Sequence, residues 1–331
     1  MIPRSYIDPA FPAALRALRE SRGLSLRVLA ARAYVAKSVL CRIENGERRP
    51  ALDVVNRLEH VLDGDGSLVA MITPAVVAGD GGERIRAAVA KPRALDHRAV
   101  TALAEVLAAQ RRLDDTMAAR TVLPVTGPQW RAVMDLARNA RGPAADDLHV
   151  VAAEWTQFLG WLHAEARLDA PAVRILTDAV RQADRVGTGP LRAQARNFLG
   201  YVARQRGHAR GIVRHFEDAY HVEGAATLQR VGDAAQASQG YALMGDKRRA
   251  LTLLGEATDL ATGTHGKPPG TAYWLSPTFG HLNLGLAYLG LGERREAAEH
   301  LECGLDGLPA EQRDAEWTLE YTAALSRTVP E

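Results

Sequence analysis

The sequence predicts an all-α chain in which a small helical module precedes a helical solenoid. Three observations carry that expectation. Ala, Leu and Arg dominate the 331 residues, aromatics supply 5% and continuous β-branched runs are scarce, a composition that favours helix over strand. Residues 24–46, LSLRVLAARAYVAKSVLCRIENG, read as two short helices joined by a tight turn. From about residue 147 onward, small and large apolar residues return at fixed offsets in four copies.

In the first block, Leu29, Val35, Leu40 and Ile43 fall at spacings that point inward and lock the two helices together. Ala30 keeps the first helix slim where the second crosses it. Lys37, Ser38 and Cys41 face outward, and a small, polar and basic face is what a helix needs to enter a DNA major groove. Asn45-Gly46 ends the second helix, with Gly46 suited to a left-handed cap. Glu47, Arg48, Arg49 and Pro50 lead into a further helix, and Pro50 suits its first turn. Residues 1–50 hold ten Lys or Arg against four Asp or Glu, a net +6 in a chain of net +2. Such asymmetry is the footprint of a polyanionic partner.

On these residues the block resembles the helix-turn-helix of the lambda-repressor/Cro-like (xenobiotic-response-element) family of transcription regulators, over roughly residues 11–72. The run RIENGERRP at 42–50 is its most family-specific part. Three positions depart from the pattern: Tyr34 where the turn usually has Gly, Ala36 where a Ser cap often opens the recognition helix, and Leu26 where a polar residue often touches phosphate. The resemblance implies a five-helix DNA-binding domain over 1–75. Its expected DNA contacts are Lys37, Ser38, Cys41, Arg42, Asn45, Arg48 and Arg49. Lys37 and Ser38 would read bases, while Arg48 or Arg49 and the helix end at Asn45 would hold phosphates.

Gly and Pro recur through 73–98 without a sustained apolar period, so 76–98 reads as a linker with a short helix at 83–90. A helix is expected over 99–119. Pro124, Gly127 and Pro128 should break the chain before another helix runs to about 140.

The repeats align on Leu159-Gly160, Leu199-Gly200 and Leu284-Gly285, with Ser238 at the Gly position of a fourth copy. Twelve residues beyond the key position lie Ala172, Ile212, Ala250 and Ala297; sixteen beyond lie Leu176, Phe216, Leu254 and Leu301; nineteen beyond lie Ala179, Ala219, Ala257 and Gly304. Seven beyond, where a helix–helix turn is needed, stand Gly207, Gly245 and Gly292, with Arg167 in the first copy. This pattern resembles tetratricopeptide (TPR) repeats. The key positions are 40, 38 and 47 residues apart, the last spacing holding an insertion, GTHGKPPGTAYW at 263–274. The segment 310–327 reads as a terminal capping helix, so 99–331 is expected to form a ligand- or partner-binding domain. TPR likeness implies that the first helix of each pair lines a concave face. Its offsets give Gln157, Trp161, Gln194, Asn197, Tyr201, Arg204, Gln236, Gln239 and Asn283 as candidate ligand contacts. Amides there suit the backbone of an extended peptide, and Arg204 suits a carboxylate. Tyr273 and Trp274 are expected either to cover the groove or to plug the core.

No catalytic constellation appears. HExxH and GxSxG are absent, GDGGER at 79–84 lacks the Lys-Ser/Thr of a phosphate loop, and the two cysteines, Cys41 and Cys303, form no CxxC site. No enzyme activity, metal or cofactor is expected. With no secretory leader and no run near 18 apolar residues, the expected location is the cytoplasm. The two-part layout resembles the peptide-pheromone-sensing (quorum-sensing) regulators of Gram-positive bacteria and a large actinobacterial set. It implies a homodimeric, DNA-binding transcription regulator that senses a peptide or small-molecule effector. The alternatives are a DNA-binding adaptor or an antitoxin-like autorepressor whose solenoid grips a protein partner.

Overall fold

The computed structural model describes residues 6–7, 11–48, 50, 52–64, 68, 72–73, 80–262, 268–309, 312–313 and 315–329. The fold is all-α. Among the described residues the one strand pair is minimal: β1 (Tyr6–Ile7) lies antiparallel to β2 (Ile72–Thr73), Tyr6 opposite Thr73. The chain divides into two compact units, residues 1–110 with 120–144, and residues 111–119 with 145–331. That division differs from the boundary expected at 98/99, because α6 (His97–Asp114) carries the chain out of the first unit at its C-terminal end.

In the first unit, α1 (Phe11–Ser21), α2 (Leu26–Arg32), α3 (Lys37–Glu44) and α4 (Leu52–Leu62) enclose a core of Phe11, Leu15, Leu29, Ala30, Ala33, Leu40, Ile43, Val55, Leu58, Leu62 and Leu68. A fifth helix expected before residue 75 would fall in 65–71, where only Leu68 is described. Helix α4 starts at Leu52, two residues past Pro50. Within the expected linker, α5 (Gly81–Ala90) forms, and Arg84 pairs with both Asp80 and Asp96.

The expected break at Pro124 and Pro128 does not occur: α7 (Ala119–Asn139) runs through both. Each proline removes one backbone donor. The two stand four residues apart on one face, with Pro124 exposed, so water reaches that side of the helix. Val122, Val133, Leu136 and Ala137 hold the opposite side in the core.

The second unit is a stack of helix pairs: α8 (Ala145–Glu165) with α9 (Asp169–Arg185), α10 (Gly189–Gln205) with α11 (Ala209–Tyr220), α12 (Thr227–Leu243) with α13 (Lys247–Thr262), and α14 (Pro277–Leu291) with α15 (Arg294–Asp306). The first helix of each pair packs on the first helix of the next, and α16 (Leu319–Ser326) closes the end against α14 and α15. It starts later than the capping helix expected from 310, after a 3-10 turn at Glu316–Thr318.

The repeat offsets have direct physical causes. A Cβ on Gly160 would sit 2.6 Å from Leu176, one on Gly200 2.8 Å from Phe216 and one on Gly285 2.6 Å from Leu301. Each small residue therefore receives the large residue sixteen positions on. Ser238 fits the fourth copy because its hydroxyl donates to the Ala250 carbonyl at 2.7 Å. The interhelix turns are left-handed in all four copies, with φ of +64° at Gly207, +79° at Gly245, +84° at Gly292 and +60° at Arg167. Arg167 tolerates a conformation costly for a side chain while its guanidinium donates to the Gln205 side chain and carbonyl at 3.2 and 3.1 Å.

Candidate functional sites

The candidate nucleic-acid face is built on α2 and α3. Ser25 caps α2, its hydroxyl accepting from the Val28 amide at 3.3 Å. The turn is made by Tyr34, which stands where a glycine would be easier: its φ is +52° and its side chain is 88% exposed. Ala36 precedes α3 without a side-chain cap, its carbonyl accepting from the Val39 and Leu40 amides at 2.9 and 3.0 Å. Along α3, Leu40 and Ile43 are buried, while Lys37, Ser38 and Arg42 are exposed and Cys41 is half-buried. The helix is anchored from behind by a buried ion pair. Arg19 of α1 donates to both Glu44 carboxylate oxygens at 2.7 and 3.0 Å and to the Leu24 carbonyl at 2.9 Å.

Asn45, expected at phosphate, is exposed but engaged within the module. Its Oδ1 accepts from Arg16 at 3.1 Å and its Nδ2 donates to Glu47 at 3.4 Å. Gly46 takes the left-handed cap with φ +74°, and Arg48 is exposed beyond it. Arg49 lies outside the described residues. Sequence reading passed over Arg27 and Arg32, exposed on α2 beside the turn; their signal was the same local excess of Arg.

The second unit holds a partly open cavity whose space, with the solvent at its mouth included, amounts to about 970 Å³. Eight of the nine expected ligand contacts line it: Gln157 and Trp161 from α8, Gln194, Asn197, Tyr201 and Arg204 from α10, Gln236 from α12 and Asn283 from α14. Gln239 does not, because it lies on α12 against Gly290 of α14. Tyr273 and Trp274 join the lining. Tyr273 donates to the Arg111 carbonyl at 3.0 Å and to Asp115, and Trp274 stacks on Phe198 with centroids 6.2 Å apart.

Arg204 does not wait for an external carboxylate. Its guanidinium donates to both oxygens of Glu320 at 2.6 and 3.1 Å and also reaches Gln236. Burial works against its charge and Glu320 more than offsets that.

Sequence reading missed one wall altogether, the end of α6. Arg111, Asp114 and Asp115 stand there, in a segment whose helical period gave no hint of a site. The Trp161 indole donates to Asp114 Oδ2 at 2.7 Å. Burial pushes the Asp114 carboxyl up to about 7, with the Trp161 bond working the other way. Glu165 behind it is pushed up to about 10, by burial first and then by the Asp114 charge. On α12, Asp233 accepts from Asn197 at 2.6 Å and burial pushes it up to about 8. In the cavity wall, Arg111 Nη2, Asp114 Oδ1, Gln157 Oε1 and Asn283 Oδ1 are buried with no hydrogen-bond partner. Among the described residues no three His, Cys, Asp or Glu side chains gather in a metal-binding group, and no helix is long and apolar enough to cross a membrane.

Residues 10–71 match the helix-turn-helix domain family, so the module of α1–α4 is a DNA-binding helix-turn-helix domain. No curated protein matches the chain. Among solved structures it is similar to Bacillus thuringiensis PlcR in complex with the peptide PapR7 and DNA, at 12% identity and a TM-score of 0.34, covering 97% of this chain and 99% of that one. It is also similar to the APC/C hetero-tetramer Cut9–Hcn1, at 14% identity and a TM-score of 0.37, covering 97% of this chain and 63% of that one. The chain thus joins an N-terminal helix-turn-helix domain to a TPR-like helical stack.

Proposed function

We propose that the chain is a homodimeric transcription regulator that reads DNA through α3 and senses a diffusible effector, a small molecule or short peptide, in the cavity of its TPR-like unit. The observation that carries the sensing is the set of unpartnered buried polar atoms in an aromatic wall: Arg111 Nη2, Asp114 Oδ1, Gln157 Oε1 and Asn283 Oδ1. Each such atom costs about 1–3 kcal/mol when left without a partner. A stack selected for packing alone would hold Leu or Ala at those positions, and a ligand supplies the missing bonds. Helix α3 carries the DNA reading: Lys37 enters the groove first, with Ser38, Cys41 and Arg42 on the same side, and Arg48 and Arg49 supply charge for phosphate. One such module covers few base pairs, so a dimer on half-sites about 34 Å apart is the natural arrangement.

The experiment selects bound duplexes from a random pool with the full chain, then places the selected site before a reporter in the native host. The selected site is expected to be two-fold symmetric. Lys37→Ala should cost about 1–3 kcal/mol at one base position, and Arg48→Ala should weaken all sequences alike. The double change Gln157→Leu with Asn283→Leu should hold the reporter at one level across growth conditions that switch the wild type. Switching that persists in the double variant refutes the cavity as sensor, and equal loss of cognate and random binding by Lys37→Ala refutes its reading of bases.

A further inference from the structure

The turn between α2 and α3 is complete without the side chain at its centre. The Val35 amide donates back to the Ala30 carbonyl at 2.9 Å and the Tyr34 amide to the Ala31 carbonyl at 3.3 Å, while Arg57 of α4 donates to the Ala33 carbonyl at 2.9 Å. This pattern closes a helix on a left-handed residue, and glycine fills that place at least cost. Residue 34 is instead a tyrosine with φ +52°. Among the described residues two other side chains stand at positive φ, Asp63 and Arg167. Asp tolerates the left-handed region better than most residues, and Arg167 gains bonds to Gln205 at 3.2 and 3.1 Å. Tyr34 gains nothing from packing, since it is 88% exposed. Strain kept where no internal contact explains it points to function.

The surroundings indicate the partner's charge. From Ser21 to Ile43 the chain carries five Arg or Lys and no Asp or Glu. Arg27, Arg32 and Lys37 are exposed on the two helices that flank the turn. A phenol in such a field suits an anion, to which its hydroxyl can donate. Its position fits the same partner. Tyr34 lies three residues before Lys37, and three residues span at most about 11 Å, less than the ~12 Å width of a major groove. With Lys37 at the bases, Tyr34 therefore stays beside the sugar–phosphate strand that borders the groove. Tyrosine is among the side chains that hold DNA phosphates.

We propose that Tyr34 is a DNA-backbone contact, its hydroxyl donating to a phosphate oxygen at the edge of the groove that α3 enters. This rests on the reading of α3 as the DNA-reading helix and adds a contact outside that helix. Glycine at this position would make the firmer turn and the weaker binder. Being neutral, Tyr34 differs in kind from Arg48. It fixes the position of the duplex without releasing a counterion. Its loss therefore lowers affinity by the same factor at every salt concentration.

The test measures binding of the full chain to the selected duplex and to a random duplex of equal length, by fluorescence anisotropy at several salt concentrations. Tyr34→Phe keeps the ring and the backbone and removes only the hydroxyl. It should weaken both duplexes about tenfold, the scale of one hydrogen bond to a charged group, with the salt slope unchanged. Tyr34→Gly should weaken both at least as much while its turn amides exchange no faster than those of the wild type, so that misfolding does not account for the loss. Tyr34→Phe binding within about twofold of the wild type, less than the smallest net hydrogen bond, overturns the proposal and turns attention to a protein partner for the exposed ring. A loss confined to the selected duplex also overturns it, because a phosphate contact carries no sequence information. Either result leaves the α3 reading standing if Lys37→Ala still relaxes one base position. A wild type that selects no duplex removes that reading and this proposal together.

Discussion

Glu44→Ala tests what holds the recognition helix in place. The Glu44 side chain is 2% exposed and that of Arg19 11%, and they share two bonds at 2.7 and 3.0 Å. Deleting one partner of such a pair leaves a buried charge and typically costs about 3–5 kcal/mol. Arg19 would keep its bond to the Leu24 carbonyl and a contact with Glu20, whose side chain is 61% exposed and so contributes little. The expected cost is therefore at the lower end, about 3 kcal/mol, or roughly 100-fold in an opening equilibrium. Hydrogen exchange of the Leu40–Glu44 amides in the full chain reads that equilibrium locally. Arg19→Met combined with Glu44→Leu should recover most of the loss, because an apolar pair of similar volume removes the stranded charge. A change below about fivefold in Glu44→Ala would show that the pair is dispensable. An unrepaired double variant would show that the loss came from helix contacts and not from charge.

Three further outcomes follow from the geometry. Gly200→Ala should destabilise the stack by about 1–3 kcal/mol, since its Cβ would fall 2.8 Å from the fully buried Phe216 ring; urea midpoints check this, and a neutral result would mean that α10 and α11 can part. Tyr34→Gly should stabilise the first unit by about 0.5–1 kcal/mol, because a left-handed tyrosine is strained and glycine returns part of the gain through a looser unfolded chain; exchange at the α2–α3 turn measures it. Asp233 has a folded pKa of about 8 against an unfolded value near 3.8, so the folded state binds the extra proton. Its contribution to stability falls as pH rises from about 4 to about 8, by up to about 1.4 kcal/mol per unit. Asp233→Asn should flatten that slope and exceed the wild type in urea midpoint at pH 8, with little difference at pH 4; an unchanged slope would mean that Asp233 is already ionised.

Much of this was legible in the sequence because the constraints are local or periodic. Gly160, Gly200 and Gly285 announce a helix crossing, and the residue sixteen positions later names what fills it. Arg167 could be placed at a turn from the three glycines that occupy its position in the other copies. Trp161, Asn197 and Tyr201 could be assigned to the cavity because they share a face with a known core offset. The α6 wall could not. Arg111, Asp114 and Asp115 carry no repeat signature, and Asp114 becomes a site residue through Trp161, 47 positions away in sequence. Gln239 failed for the converse reason: its offset is right, but α14 covers it. The prolines of α7 misled because a residue-by-residue cost was read as a veto, whereas the buried apolar side of a 21-residue helix outweighs it.

The residues that escaped the sequence reading also bear on how a ligand would be felt. A ligand changes an equilibrium only by binding its two states unequally, so the useful contacts lie where the chain has something to transmit. The wall formed by Arg111, Asp114 and Asp115 begins one residue after Gln110, where the first of the two segments of the first unit ends, within the continuous helix α6. The contacts from α8, α10, α12 and α14 belong to four separate helices of one stack. A ligand in this cavity, if it binds as proposed, would meet both the end of α6 and the helices of the stack. The cavity's unpaired polar atoms and its place beside the end of α6 thus support the proposed effector site, and the result that would refute it is a cavity variant whose DNA binding still responds to growth conditions as the wild type does.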